Sequence, residues 1–273
     1  MNPKVSVIIP AYNEEENLTP CLNSILKQTH KNFETIIIDN NSKDKTKKII
    51  KEFSKKDKRI KYVFEKVRKR GAARKKGEKL AKGKIILMTD ADCIVPTNWI
   101  KEMVCPILKN KEITVQGNFK PSKLNYWTEK ITQERNNKIK ARLADNKIGL
   151  LDTGNFAIEK NILKKIGYSN PNIFSGNDTE LEIRLKKQGY KTIFKQIEVT
   201  HKEAETAKKV FKKFFYRGRW NKKIRKLNKK NNFNAQKNKT YFRNLISEVI
   251  NRHNNLKYDV VSGFAWRLGG LFA

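Results

Sequence analysis

Acidic residues are in short supply. The 273-residue chain has 27 Asp+Glu against 61 Lys+Arg, a formal net charge of +34. Cysteine is scarcer still. Cys21, Cys93 and Cys105 are odd in number, well separated and form no C-x-x-C pair. That argues against a disulfide framework or a cysteine-built zinc site, and it fits a reducing cytosol. No run of about 18 apolar residues occurs, so no ordinary membrane span is expected. The N-terminus enters VSVIIP at once, without a signal-peptide pattern. No internal repeat is found. Together these absences point to a cytoplasmic protein.

Apolar residues make up 38% of the chain and charged residues 32%. The apolar residues come in organised runs, so a folded domain is expected rather than disorder. The length suits one large domain, or one plus an appendage. The sequence pI near 10.1 admits nucleic acid, anionic lipid headgroups or phosphorylated ligands as partners. It is equally compatible with a lysine-rich solvated surface.

KVSVII (4–9), FETIIID (33–39), IKYVFE (60–65) and KIILMTD (84–90) read as strands. Leu18, Leu22, Ile25 and Leu26 fall at helical spacing, as do Ile49, Ile50 and Phe53. A basic helix over about 71–82 ends at Gly83. Strands alternating with helices at this spacing predict βαβ units and a mostly parallel α/β sheet with helices on both faces. Such strands are covered on both sides, hence their continuous apolar runs. Beyond residue 97 the pattern loosens. Trp99, Met103 and Ile107 suggest a helix, 113–119 a strand, 124–146 a polar helix, and 190–195 a strand. NDTELEIRLKKQGY (177–190) reads as a helix with an Asn or Asp cap and Gly189 as its stop. Residues 206–230 are basic and amphipathic, 231–240 an Asn/Lys-rich linker, and 260–273 a short apolar tail.

In a parallel sheet, ligands bind beyond the carboxyl ends of the strands. Three acidic or polar turns sit at those ends: PAYNE after the first strand, DNNS after the second, DAD after the fourth. All three are expected to open onto one edge. Two like charges as close as Asp90 and Asp92 repel, and each costs free energy to desolvate. A solvated turn accounts for them plainly. A bound divalent cation accounts for them more sharply.

VSVIIPAYNEEENLTPCLNSILKQT, IIIDNNSKDKT, GAARKKG, MTDAD and GNDTELEIRL occur in that order. With these pieces the chain, over about residues 4 to 220, resembles a family 2 glycosyltransferase. That resemblance implies the GT-A fold, a Rossmann-like nucleotide-binding sheet, here with a helical C-terminal extension. It also implies transfer of a sugar from a nucleotide diphosphate donor, usually UDP-linked, with inversion. Residues 1–222 are then the transferase domain, with a nucleotide-sugar half (1–96) and an acceptor half (97–222). Residues 223–273 are a basic linker and an apolar tail.

The resemblance assigns roles residue by residue. Pro10, Ala11, Tyr12, Asn13 and Glu14 match the first nucleotide loop, with Tyr12 offering a flat face to the base. Read alone, they make a turn before a helix whose N-terminus suits acids. Asp39 matches the aspartate that accepts a base N–H, which an ionised carboxylate can do. Asn40 stands where many relatives have a second Asp, and Ser42 and Asp44 read as caps of the next helix. Arg74 matches the arginine of the family's A-A-R segment, a planar fork for phosphate or base. Gly71 would let the backbone pass close to the ligand. The neighbouring Arg68, Lys69, Arg70, Lys75 and Lys76 read mostly as a solvated face.

Asp90 and Asp92 match the D-x-D motif. Asp92 is expected on Mg²⁺ or Mn²⁺, and Asp90 on the ribose or a bridging water. The cation would act as a Lewis acid on the departing diphosphate. Cys93 stands where relatives often have another Asp. Asp178 matches the catalytic base of the family's E-D pair, although Asn177 replaces the glutamate. Glu180 is held in reserve, and a helix cap is the plainer role for Asp178. His201 falls where some relatives have a metal-facing histidine, against an ordinary structural histidine. In YRGRW, Arg219 and Trp220 match part of the Q-x-x-R-W of processive relatives, but Tyr216 replaces Gln. Arg217 or Arg219 is then a candidate for closing over the diphosphate or acceptor.

The leading expectation is an inverting, metal-assisted transfer from a UDP-sugar to a lipid-linked or envelope-glycan acceptor. The basic 206–230 stretch and the tail suggest peripheral contact with an anionic membrane at its inner face. A relative that binds nucleotide without turnover is a second reading, motivated by Asn177. A nucleic-acid-binding protein is a third, but no nucleic-acid module is found and nucleic acid is not expected as a partner.

Overall fold

The computed structural model describes residues 4–110, 113–144, 151–174, 176–230 and 256–272. The linker expected at 231–240 lies outside them. The chain packs as two units. The first comprises Met1–Ser122 with Glu134–Lys202, the second Lys123–Gln133 with Glu203–Ala273.

The first unit is built on one eight-stranded sheet in the order β3-β2-β1-β4-β7-β6-β8-β5. Strands β1 (Val5–Ala11), β2 (Phe33–Asp39), β3 (Ile60–Phe64) and β4 (Ile85–Thr89) are the four read from their apolar runs. They pair in parallel, with Val5 opposite both Phe33 and Ile85. Their side chains alternate between two cores, as the two-residue period of a strand requires. Val5, Val7, Ile9, Ile37, Ile85 and Leu87 face one core with helices α1 (Leu18–Leu26) and α4 (Trp99–Lys109). Ile8, Ile36, Ile38, Ile86 and Met88 face the other. That second core also takes Ala73 of α3 (Arg70–Leu80) and Leu181 and Leu185 of α7 (Asn177–Lys187). Helix α2 (Thr46–Lys56) sends Ile50 to the first core.

After β1 the chain builds outward through β2 and β3, then crosses back to place β4 on the other flank of β1. The order therefore reverses between β1 and β4. Such a switch point opens a crevice at the carboxyl ends of the strands, the expected place for a ligand.

The second half of the sheet is mixed. Strand β7 (Asn155–Glu159) runs antiparallel to β4 and to β6 (Ile113–Pro121). Strand β8 (Lys191–His201) is parallel to β6 and also pairs with the two-residue β5 (Cys93–Ile94) in antiparallel register. It extends six residues past the strand expected at 190–195. Strand β7 and helix α6 (Lys160–Ile166) were not anticipated, because a five-residue strand has too few residues to show a period.

In the second unit, α8 (Ala207–Lys230) and α9 (Leu256–Leu271) pack with the start of α5 (Tyr126–Ala144) around Ile131, Val210, Phe214, Tyr258 and Ala265. The boundary expected at residue 222 falls inside α8.

Candidate active site

The loop after β1 is held by the loop after β2. Asn13 and Glu14 donate backbone N–H bonds to Ser42 Oγ (3.1 Å) and Thr46 Oγ1 (2.8 Å). Glu15 N–H goes to Asp44 Oδ2 at 3.0 Å, and Lys43 N–H returns to Asn13 Oδ1 at 2.8 Å. Asn13 has φ 53°, the left-handed region that asparagine tolerates better than most residues. Of the two caps expected for α2, Asp44 serves that helix, accepting Thr46 N–H at 3.0 Å. Ser42 is drawn to Asn13 instead. Pro10 and Ala11 close β1, and Tyr12 follows with the Arg68 guanidinium 4.2 Å from its ring centroid. One face of that ring thus already carries a cation–π contact.

Asp39, at the end of β2, is 1% exposed. Its Oδ1 accepts Ser42 N–H at 2.9 Å, and the Tyr62 hydroxyl lies 3.5 Å from Oδ2. A carboxylate offers about four acceptor positions, so capacity for a further donor is left. Asn40 explains its own departure from Asp. Its amide donates to the carbonyls of Val67 (2.6 Å) and Glu65 (3.3 Å), which a carboxylate cannot do.

At the end of β4, Cys93 N–H bonds to Asp90 O at 3.2 Å and turns the chain tightly. The register Cys93↔His201 then sets Asp92 beside His201, with Oδ2 and Nε2 3.6 Å apart. The His201 ring meets Phe119 edge to face at 5.9 Å. Asp92, Cys93 and His201 offer three potential ligand atoms within 4.8 Å of one another.

Arg74 is 1% exposed and uses its fork on two carboxylates. Nη2 donates to Asp90 Oδ1 at 3.1 Å and Nη1 to Asp178 Oδ1 at 3.0 Å. Asp178 Oδ1 also accepts the Thr153 hydroxyl. Both bonds reach one oxygen of a side chain that is 28% exposed, leaving the second oxygen for a proton. The cap expected of Asp178 or Asn177 is absent. Gly176, at φ 86°, holds the cap position of α7, and no side chain caps it, because Asp178 is drawn to Arg74 and Thr153. Asn177 is buried, its amide 3.4 Å from Ile173 O. Glu180, the reserve base, is taken by Arg184 at 2.7 and 2.8 Å.

Arg70 was expected to face solvent with its neighbours. Its guanidinium instead lies 3.8 Å from Asp90 Oδ2 while staying half exposed. One helical turn separates it from Arg74, so both reach the same carboxylate. Gly71, between them, makes room for the chain and not for a ligand. A Cβ there would strike the carbonyls of Asn170 and Ile173. Asp152 Oδ2 is 3.4 Å from Arg135 Nε, and its Oδ1 accepts Gly154 N–H at 3.0 Å. Thr153, Asp152, Arg135 and Arg70 carry no motif of their own. The one usable signal was an arginine one helical turn before Arg74.

These charges shift one another. Burial works against the Asp90 carboxylate, but Arg70 and then Arg74 outweigh it and hold its pKa down at about 2. Asp90 first, against the opposing effect of burial, holds the Arg70 guanidinium firmly charged. Glu14 is pushed up to about 7, chiefly by burial and then by Asp92 and Asp90, against a 2.7 Å bond from Asn17. The Cys93 thiol is driven well up by burial and next by Asp92. Only thiolate is a good ligand, so Asp92 and His201 are the better donors of the three.

Arg217, Arg219 and Trp220 lie on α8 in the second unit. The two arginines are exposed and the tryptophan half-buried, and the Arg217 guanidinium is 5.7 Å from the Phe214 ring.

The family model described as glycosyl transferase family 2 matches residues 6–167. The chain belongs to that family. Among relatives, it is 29% identical over 195 residues to the glycosyltransferase AglE of Haloferax volcanii, covering 70% of this chain and 64% of AglE. It is 36% identical over 116 residues to an Escherichia coli protein named UDP-Glc:alpha-D-GlcNAc-diphosphoundecaprenol beta-1,3-glucosyltransferase WfgD, covering 42% of this chain and 45% of WfgD. The chain thus spans less than two thirds of either relative. Among solved structures, the mannosyltransferase PcManGT from Pyrobaculum calidifontis, in complex with GDP-Man and Mn2+, superposes with a TM-score of 0.67 at 18% identity. That match covers 81% of this chain and 63% of PcManGT. TarS of S. aureus in complex with UDP-GlcNAc gives 0.57 at 18% identity, covering 78% and 64%. At such identities the likeness establishes the fold, and that fold is GT-A. In this family 2 chain, Asp90 and Asp178 meet on a single guanidinium.

Proposed function

We propose that the protein is an inverting glycosyltransferase that moves a sugar from a nucleotide diphosphate sugar onto an acceptor hydroxyl. The observation that carries this is Arg74 joining Asp90 and Asp178. One buried cation ties the strand-end carboxylate of the nucleotide half to the carboxylate proposed as base, at the switch point of the sheet. In a single displacement, the acceptor oxygen attacks the anomeric carbon, the diphosphate leaves, and Asp178 takes the hydroxyl proton. Thr153 and Arg74 position Asp178 for this.

The donor nucleotide is UDP in this reading. Asp39 accepts the base N–H, Pro10, Ala11 and Tyr12 line the base, and Glu14, Arg74 and Asp90 border the ribose and diphosphate. Asp92 and His201 would hold Mg²⁺ or Mn²⁺, oxygen and imidazole donors 3.6 Å apart being a fitting pair for one such ion. When bound, that ion supplies Lewis-acid stabilisation of the leaving diphosphate. Arg217, Arg219 and Trp220 are assigned to the diphosphate or acceptor. The acceptor is a lipid-linked or envelope glycan, and WfgD, whose name specifies a diphosphoundecaprenol acceptor, supports that class. The transferase domain is assigned to 1–222 and the location to the cytoplasm, at the inner face of the membrane. Nucleic acid is not assigned as a partner, since the sequence carries no nucleic-acid-binding module pattern.

Asn177 favours one other reading, a protein that binds the nucleotide without turnover. Sugar transfer by the parent protein distinguishes the two, and Asp178→Asn then tests the base. Nucleotide binding should persist while transfer is lost. A variant that still transfers sugar at a near-normal rate would remove Asp178 as the base. A parent protein that binds UDP yet transfers from no UDP-sugar would favour the second reading.

A further inference from the structure

The second unit contains a surface that the transfer chemistry does not use. On α9, Tyr258, Ser262, Ala265 and Gly269 are buried, one helical stripe at intervals of three and four. At Gly218 a Cβ would strike the Trp266 carbonyl, and at Gly269 the Phe215 carbonyl. The two helices therefore touch backbone to backbone. The opposite stripe of α9 is exposed and largely apolar. Val260 is 56% exposed, Phe264 60% and Leu271 75%, with exposed Lys257 and Arg267 on the same stripe; Phe272, just past the helix end, is 63% exposed.

That stripe continues onto α8. The Phe264 ring lies 6.3 Å from Phe211, and the Phe272 ring 6.2 Å from Phe215. Phe211 and Phe215 stack at 6.2 Å along α8. Exposed Lys208 and Lys212 lie on the same side of α8, three residues before Phe211 and Phe215 respectively. Tyr216, 48% exposed, adds a polar-tipped ring. Helix α8 has no acidic residue in its length.

We propose that the exposed aromatic stripe of α8 and α9 docks onto a bilayer surface bearing anionic headgroups. An apolar stripe this exposed is costly in water. The flanking lysines complement anionic headgroups, and their alkyl stems reach past the rings to keep the charges at the interface. The helix lies on the bilayer and does not cross it. At 16 residues, α9 is about 24 Å long, short of a hydrocarbon core about 30 Å thick. No described helix is long and apolar enough to span.

The test is sedimentation of the full chain with vesicles of phosphatidylcholine alone, or with about a third phosphatidylglycerol, at moderate salt. A protein with a net charge of +34 attracts any anionic surface, so the variants decide. Phe264→Ser with Leu271→Ser should weaken partitioning at least about tenfold, each losing its insertion into the bilayer. Lys208→Ala with Lys212→Ala should weaken it about fivefold per lysine. Lys48→Ala with Lys55→Ala, on α2, is the control and should change it far less. Unchanged circular dichroism and retained UDP binding would show that the fold and the nucleotide site survive, so a failure here is separable from a failure of the transferase reading. Equal loss in the α2 control, or no loss in Phe264→Ser with Leu271→Ser, would overturn the proposal. So would lipid-independent self-association that the same two substitutions abolish, since the occupant would then be a second copy of the chain.

Discussion

The cleft at the strand ends has an arginine side and a histidine side, and their carboxylates are neutralised in different ways. On the arginine side, Asp90 and Asp178 share one buried guanidinium at 3.1 and 3.0 Å, with Arg70 close behind. On the histidine side, Asp92 faces the His201 imidazole at 3.6 Å and the Cys93 thiol at 3.9 Å. The protein supplies its own permanent cations to the first pair. It leaves the second to whatever positive charge the imidazole or a ligand brings. A fixed internal cation suits groups that must keep their position through a reaction, and an open carboxylate suits an ion that arrives with its substrate.

The largest expected effect concerns the base. Asp178→Asn should lower the transfer rate by about 10² to 10⁴, the range of general-base contributions, while the dissociation constant for UDP stays within about twofold. A large loss of binding would erase the distinction between a catalytic Asp178 and a ligand-holding Asp92. Next comes the shared cation. Arg74→Ala strands two largely buried carboxylates and should cost about 3 kcal/mol of stability, read by denaturant melts. Arg74→Lys should recover part of it, because a point charge cannot fork to both oxygens. Unchanged stability would contradict the picture of a built-in counter-ion.

A pH titration sharpens the same contrast. The Asp90 pKa in the folded protein is about 2, below the value of about 3.9 for an unfolded aspartate. Its contribution, about 2 kcal/mol, is therefore complete above pH 4 and is lost as pH falls towards 2. Asp90→Asn should flatten the stability curve in that window. The smallest effect expected is on the other side. His201→Ala should weaken Mn²⁺-dependent UDP binding by at least about tenfold and leave stability nearly unchanged.

The legible part of this molecule was the part built from local pattern. Strands β1 to β4 declare themselves because each is buried on both faces, so Ile36, Ile37 and Ile38 read as one run. The turns after them carry Asp39, Asp90 and Asp92 at predictable ends. Arg74 was singled out by its A-A-R segment, but its partners were not legible. Its bond to Asp178 joins residues 104 positions apart, and nothing near either residue encodes that pairing. The same holds for Thr153, whose hydroxyl serves Asp178 from a loop with no motif. His201 was weighed as a lone histidine, and what brings it to Asp92 is a two-residue strand pairing, too short to leave a period in the sequence. Arg70 was hidden by abundance, one of seven cations from Lys66 to Lys76.

The most direct test of the account is calorimetric titration of UDP into the protein with Mn²⁺ and then with EDTA, repeated on Asp92→Ala. GDP is run alongside. The account predicts UDP binding that requires the metal in the parent protein and disappears in the variant. Metal-dependent binding of GDP in place of UDP would keep the cleft and change the donor. Failure of a folded protein to bind either nucleotide would contradict the proposal that Asp90, Asp92 and His201 border a diphosphate site.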